Sequence, residues 1–196
     1  MNTRSVIAIG LSLASSACAR ADRGARAELA RERLVSAPSS IAFVSSDRVA
    51  NGLSGEIRFG GPLGRSALYL KFPNDWRARG IPRQAFLTLS AREGSAINDA
   101  PLTLEAWRVS ADWQPEALRH WSDKPSLAPP YARTRFSASP AQDLRIDVSE
   151  LLRFAAQNPE REFGIAVIAS SSEGPAATFS TGLAGGRAPR LELYLQ

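Results

Sequence analysis

From residue 41 onward the chain alternates apolar and polar side chains in nine short runs: IAFVS (41–45), GEIRF (55–59), SALYLKF (66–72), QAFLTLSA (84–91), PLTLEAWRV (101–109), DLRIDV (143–148), FGIAVIA (163–169), AATFST (176–181) and RLELYL (190–195). A period of two places successive side chains on opposite faces of a strand, so each run reads as a strand with one face in a core. In SALYLKF, Leu68, Leu70 and Phe72 share a face; in QAFLTLSA, Leu87 and Leu89 oppose Phe86 and Thr88. Gly, Pro, Ser and Asn separate the runs at FGGPLG (59–64), REGSAINDAP (92–101), SSSEGP (170–175) and LAGGRAP (183–189), where the chain can reverse. No internal repeat is visible, and about 155 residues suffice for one domain with its own core. The expected fold is all-β: an antiparallel, jelly-roll-like β-sandwich with one or two short helices packed at an end.

One segment breaks the period. In DVSELLRFAAQNP (147–159), Val148, Leu151, Leu152 and Ala155 follow helical spacing, Asp147 and Glu150 fit a capping box, and Asn158 before Pro159 supplies a stop. Asp147 and Ser149 therefore read as helix caps rather than as an acid and a base.

The N-terminus reads as an export signal. Residues 1–18 carry one early charge, Arg4, then an apolar run from Val6 to Ala14, then small residues up to Cys18. That run is far shorter than the roughly 20 apolar residues a membrane span needs. Cys18 is the only cysteine, which excludes an intramolecular disulfide and a cysteine metal cluster. ASSAC (14–18) resembles a lipobox, which would make Cys18 an acylated anchor; cleavage after Ala17 or Ala19 is the other reading. The chain is thus expected to be an outer-membrane lipoprotein, or extracellular or periplasmic without the lipid. Residues 19–40, rich in Ala, Arg and Ser, read as a tether. The net charge of +5 is concentrated in these leading regions, leaving +2 for residues 36–196. That is too little for a nucleic-acid surface.

Catalytic patterns are scarce. His120 is the only histidine, so a three-histidine metal site is excluded. Cys18 belongs to the leader, which removes a Cys-His nucleophile, and no G-x-S-x-G elbow accompanies His120. No catalytic residue is assigned and no cofactor is expected. A structural calcium ion would have to use SSD (45–47), PND (73–75) or NDA (98–100), which read more simply as Asx turns.

The serial order of the segments carries a resemblance. SALYLKF, then IPRQAFLTLSA, LTLEAWRV, DWQPEALRHWSDKPSL, LRIDVSELLRFAAQNPEREFGIAVIA, ATFST and APRLELYL resemble the DNRLRE domain family over about residues 53–196. There is no counterpart of the name-giving Asp-Asn-Arg-Leu-Arg-Glu string, and His120 precedes Trp121 where that pattern commonly has Thr. The resemblance implies an extracellular β-sandwich, with some relatives classed as carbohydrate-binding modules for acidic polysaccharides. It also implies that Trp113 and Trp121 are buried anchors on a long loop folded over the core. Trp107, inside an alternating run, is expected in the core too. The residues weighed for a glycan patch are Trp76 as an exposed aromatic, Tyr69 and Lys71 alternating away from Leu68 and Leu70, and Arg58, Arg108 and Arg145 on strand faces, since Arg forks pair well with uronate carboxylates. The expected function is an exported, non-catalytic module binding acidic polysaccharide at the cell surface; the alternative is a structural or protein-interaction domain of the envelope or matrix.

Overall fold

The computed structural model describes residues 32–46, 55–61, 65–92, 101–137, 143–169, 175–183 and 186–195. The signal segment, Cys18, most of the tether and the candidate calcium residues Asp47 and Asn98–Ala100 lie outside the described residues. The described residues form eleven strands: β1 (Glu32–Ser36), β2 (Ser40–Ser45), β3 (Glu56–Gly60), β4 (Ser66–Lys71), β5 (Pro82–Leu89), β6 (Leu102–Val109), β7 (Leu127–Phe136), β8 (Leu144–Asp147), β9 (Ile165–Ala169), β10 (Ala176–Ser180) and β11 (Arg190–Leu195). All nine expected strands form, within a residue or two of the alternating runs.

The strands make two layers, and every paired neighbour is antiparallel. One layer is a five-stranded sheet ordered β2-β4-β9-β6-β7; the other holds a four-stranded sheet, β1-β11-β5-β8, beside the β10-β3 pair. Backbone bonds from Ser180 N–H to Ser90 O (2.9 Å) and from Arg92 N–H to Thr178 O (3.0 Å) stitch that pair to the end of β5. Consecutive strands change layer at most steps, the jelly-roll manner of connection. Between the layers sit Leu68 and Leu70 from β4, Leu104 from β6 and Val167 from β9, facing Leu87 and Leu89 from β5, Ile146 from β8, and Leu191 and Leu193 from β11. This is the alternation read from the sequence, now with its apolar half removed from water.

Two strands were not legible. β1 falls in the region read as tether: residues 32–36 pair with β11, and Leu34 packs against the core. β7 contains Pro129 and Pro130, which cannot donate ladder hydrogen bonds. They are accommodated because β7 is an edge strand and its register against β6 shifts from Trp107↔Tyr131 to Arg108↔Ala128, leaving both prolines in a bulge.

The helix α1 (Ser149–Gln157) forms as expected and buries Leu151, Leu152 and Ala155. Its start differs from a capping box. Val148 holds the cap position, and Asp147 Oδ1 accepts from the Ser149 N–H (2.9 Å) and hydroxyl (2.5 Å). Ser149 Oγ in turn accepts from the Ala85 N–H (2.9 Å), tying α1 to β5. Asp147 and Ser149 thus have structural roles, with Glu150 outside the arrangement. Among the described residues no helix is long and apolar enough to cross a membrane.

Candidate functional site

The outer face of the five-stranded sheet is largely covered. Its covered part presents mostly small or apolar side chains: Ala42, Val44, Ala67, Tyr69, Val109 and Ala166. Over them lies the segment 110–126, which contributes Trp113 and Leu118 to a second, smaller core, with Trp121 and Phe163 at its margin. The segment is a lid, closing a sheet face from outside rather than the end of the sandwich. Trp113 is its anchor: the indole N–H donates to Phe163 O (2.6 Å), and the ring meets Tyr69 edge-on with centroids 5.7 Å apart. Gly164 makes that carbonyl available. Its φ of +109° suits glycine, and a Cβ there would sit 2.3 Å from Leu70 O. Within the lid, the Asp123 carboxylate accepts from the backbone N–H groups of His120 (2.8 Å) and Arg119 (3.2 Å), shaping a short 3-10 turn, Trp121–Asp123. His120 itself is exposed.

Where lid and sheet do not quite meet, a cavity of about 530 Å³ remains. Its floor comes from the cross-strand rung Ala67↔Ile168↔Glu105↔Arg133, with Tyr69 added from the next rung, Tyr69↔Ala166↔Trp107↔Tyr131. Ala67, Tyr69, Ile168 and Leu127, the first residue of β7, line it from the sheet and Trp121 from the lid, and Arg65, Lys124 and Arg133 supply three cations against the single carboxylate of Glu105. Glu105 is buried and engaged: Arg133 donates through Nε (2.9 Å) and Nη2 (2.5 Å), and Trp107 Nε1–H donates to its other oxygen (2.9 Å). That carboxylate holds the Arg133 guanidinium above its ordinary range, by hydrogen bond first and by charge second. Lys124 Nζ lies 4.8 Å from the Trp121 ring centroid, a cation–π contact.

Tyr69 is the unusual member. It is 0 % exposed, lines the cavity, and its hydroxyl has no hydrogen-bond partner among the described residues. Burial pushes its phenol well above the ordinary value near 10. The phenol is therefore neutral at physiological pH, able to give and accept a hydrogen bond but unfit to serve as a tyrosinate base.

The six residues weighed from the sequence do not form one patch. Tyr69, expected on an open face, is buried beneath the lid, because alternation sets the face and not what covers it. Lys71, on the same face, is used as a latch: Nζ donates to Asp112 Oδ1 (2.8 Å) and Trp113 O (2.5 Å). The Lys71 hydrogen bond, the Trp113 backbone N–H and the lysine charge hold the Asp112 carboxyl below its usual range. Trp76, expected as an exposed aromatic, is 2 % exposed, because the 3-10 turn Asp75–Arg79 turns its ring into the main core. Arg77 of that turn is ion-paired with Glu162. Arg108 donates to Pro129 O (3.0 Å) and Arg161 O (3.2 Å) and covers the Phe154 ring, which makes it a loop brace. Arg145 lies on the opposite layer, 3.5 Å over the Phe86 ring and 3.5 Å from Glu192. Arg58 is half-buried on β3, next to β10. Lys71 and Arg145 therefore cannot meet one ligand.

The tryptophan expectations divide as well. Trp113 is buried as expected, whereas Trp121 is half-buried at the cavity wall. Trp107, expected in the core, stands on the outer face stacked on Tyr131. Sequence reasoning did not single out Arg65, Glu105, Lys124 or Arg133. Glu105 had at most a weak signal, an acid in the middle of LTLEAWRV, which needs a partner across the sheet only where its face is covered. Of the calcium candidates, Asn74 O instead accepts the Arg77 N–H (3.1 Å) at the start of the 3-10 turn, and no group of three metal-binding side chains occurs among the described residues.

No protein-family model matches the chain, and no curated protein matches it.

Proposed function

We propose that the protein is an exported, non-catalytic module that binds acidic polysaccharide, and that the cavity under the lid is where it does so. The observation that carries this reading is a 530 Å³ space lined by three cations, an indole and Tyr69, whose buried hydroxyl has no hydrogen-bond partner among the described residues. A buried hydroxyl without a partner costs free energy, and a ligand oxygen would satisfy it. Arg65, Lys124 and Arg133 supply charge for a carboxylate, and Trp121 offers an apolar wall to the C–H face of a sugar ring. A neutral phenol and a carboxylate already tied to Arg133 and Trp107 favour binding over chemistry. The reading agrees with what the resemblance to DNRLRE domains implies.

The test is calorimetric titration with galacturonate and guluronate oligomers, with a neutral gluco-oligomer as control. Binding of the acidic oligomers alone, weakening as salt is raised, is expected. Arg65→Gln combined with Lys124→Gln should lower affinity by about tenfold or more, since each charge-assisted hydrogen bond contributes roughly 1.5–3 kcal/mol. Equal binding of neutral and acidic oligomers, or none by either, would reject the reading.

Export and anchoring rest on residues 1–18. Metabolic palmitate labelling should be lost in Cys18→Ser if Cys18 is the anchor, and labelling that persists would rule that anchor out.

A further inference from the structure

β7 is an edge of the five-stranded sheet, and Tyr131, Arg133 and Arg135 along it are all exposed at two-residue steps, about 7 Å from one to the next. Tyr131 is 44 % exposed, far more than the other tyrosine on this face. One side of its ring lies on Trp107, with centroids 4.1 Å apart and planes 11° from parallel. Beyond β7 no further strand pairs among the described residues, and with one side of the ring on Trp107 the exposure of Tyr131 falls to the other side.

The stacked pair borders the cavity. Arg133, two residues along β7, lines it, and so does Leu127 on the far side of the bulge. Trp107 is held in turn by its hydrogen bond to Glu105, the carboxylate that also fixes Arg133. The Tyr131 ring is thus braced from behind by a chain of contacts, Glu105 to Trp107 to Tyr131, and presents a rigid flat surface at little further cost in ordering.

Resting on the reading of the cavity as a uronate site, we propose that Tyr131, braced by Trp107, is the platform for a second sugar residue, so that the ligand is an acidic oligosaccharide of two or more units rather than a single uronic acid. One unit occupies the cavity with its carboxylate toward the cations. The next lays its C–H face on the open side of Tyr131, with Arg133 between the two.

The experiment compares galacturonic acid with tetragalacturonate on the full chain by calorimetry, using competition for the weaker ligand. The wild type should prefer the tetramer, and Tyr131→Ala should lower tetramer affinity about tenfold while leaving the monomer unchanged. Tyr131→Phe keeps the ring and should behave as wild type. Tetramer affinity untouched by Tyr131→Ala, or monomer affinity reduced by the same factor, overturns the platform while leaving the cavity reading intact. Failure of the wild type to bind either sugar overturns the cavity reading and the platform together.

Discussion

Replacing Trp76 by alanine should lower the melting temperature by on the order of 10 °C. The ring is buried in the main core at 2 % exposure, among residues contributed by both layers. Truncating a buried Trp costs about 3–5 kcal/mol, the lost transfer energy plus the cavity that surrounding strands cannot fill. For a domain of this size each kcal/mol moves the midpoint by roughly 2–4 °C. Trp76→Phe should be much milder. It keeps most of the packing and removes an indole N–H that is buried without a partner among the described residues. The pair of variants is read by thermal unfolding followed by circular dichroism. An alanine variant melting within a few degrees of wild type would mean that the ring stands outside the core.

The same residue shows where sequence reading stopped. PNDWRARG looks like a solvent turn because its neighbours are polar, and nothing local says that the turn is a single 3-10 helix whose one large side chain points inward. Strand faces were legible because a period of two is a local property: Leu68 and Leu70, or Leu87 and Leu89, share one face in any register, and their apolar character assigns that face to the core. What covers the opposite face is a non-local matter. Tyr69 and Lys71 were rightly placed on the outer face of β4, yet one is roofed by Trp113 and the other clamps that roof. Alternation also cannot say on which layer a strand lies, which is why Lys71 and Arg145 could be imagined side by side. The cavity was illegible for a related reason. Its cations come from the β4 approach, the lid and an edge strand whose pattern two prolines interrupt, and only the folded chain brings them together.

Trp113→Ala should open the lid, and its effect on binding should exceed that of any single charge removal. The residue carries three links at once: the edge-on contact with Tyr69, the hydrogen bond to Phe163 O, and, through its own backbone, the bond from Lys71. The lid packs on the outside of one sheet and the main core lies on the other side of that sheet. Its loss is therefore expected to be a local opening with the β signature retained, not global unfolding. Tyr69 reports it. In the wild type, burial raises the phenol's pKa in the folded state, so the unfolded chain ionises first as pH climbs. Stability is then fully present below about pH 10 and declines above it, as the unfolded state gains a charge that the folded state resists. Once the lid is open, water reaches the phenol, its titration moves back toward the ordinary value, and the alkaline loss of stability shrinks, as it should in Tyr69→Phe as well. Ultraviolet titration of tyrosinate follows the first effect and denaturant unfolding at two alkaline pH values follows the second. With Trp121 and Lys124 no longer held over the sheet, uronate binding should fall about a hundredfold, because the lid takes with it both the indole wall and one of the cavity's cations. A variant that keeps both the late phenol titration and full affinity would show that Lys71 and the hydrogen bonds of the turn suffice to hold the lid closed, and that the indole is not its anchor.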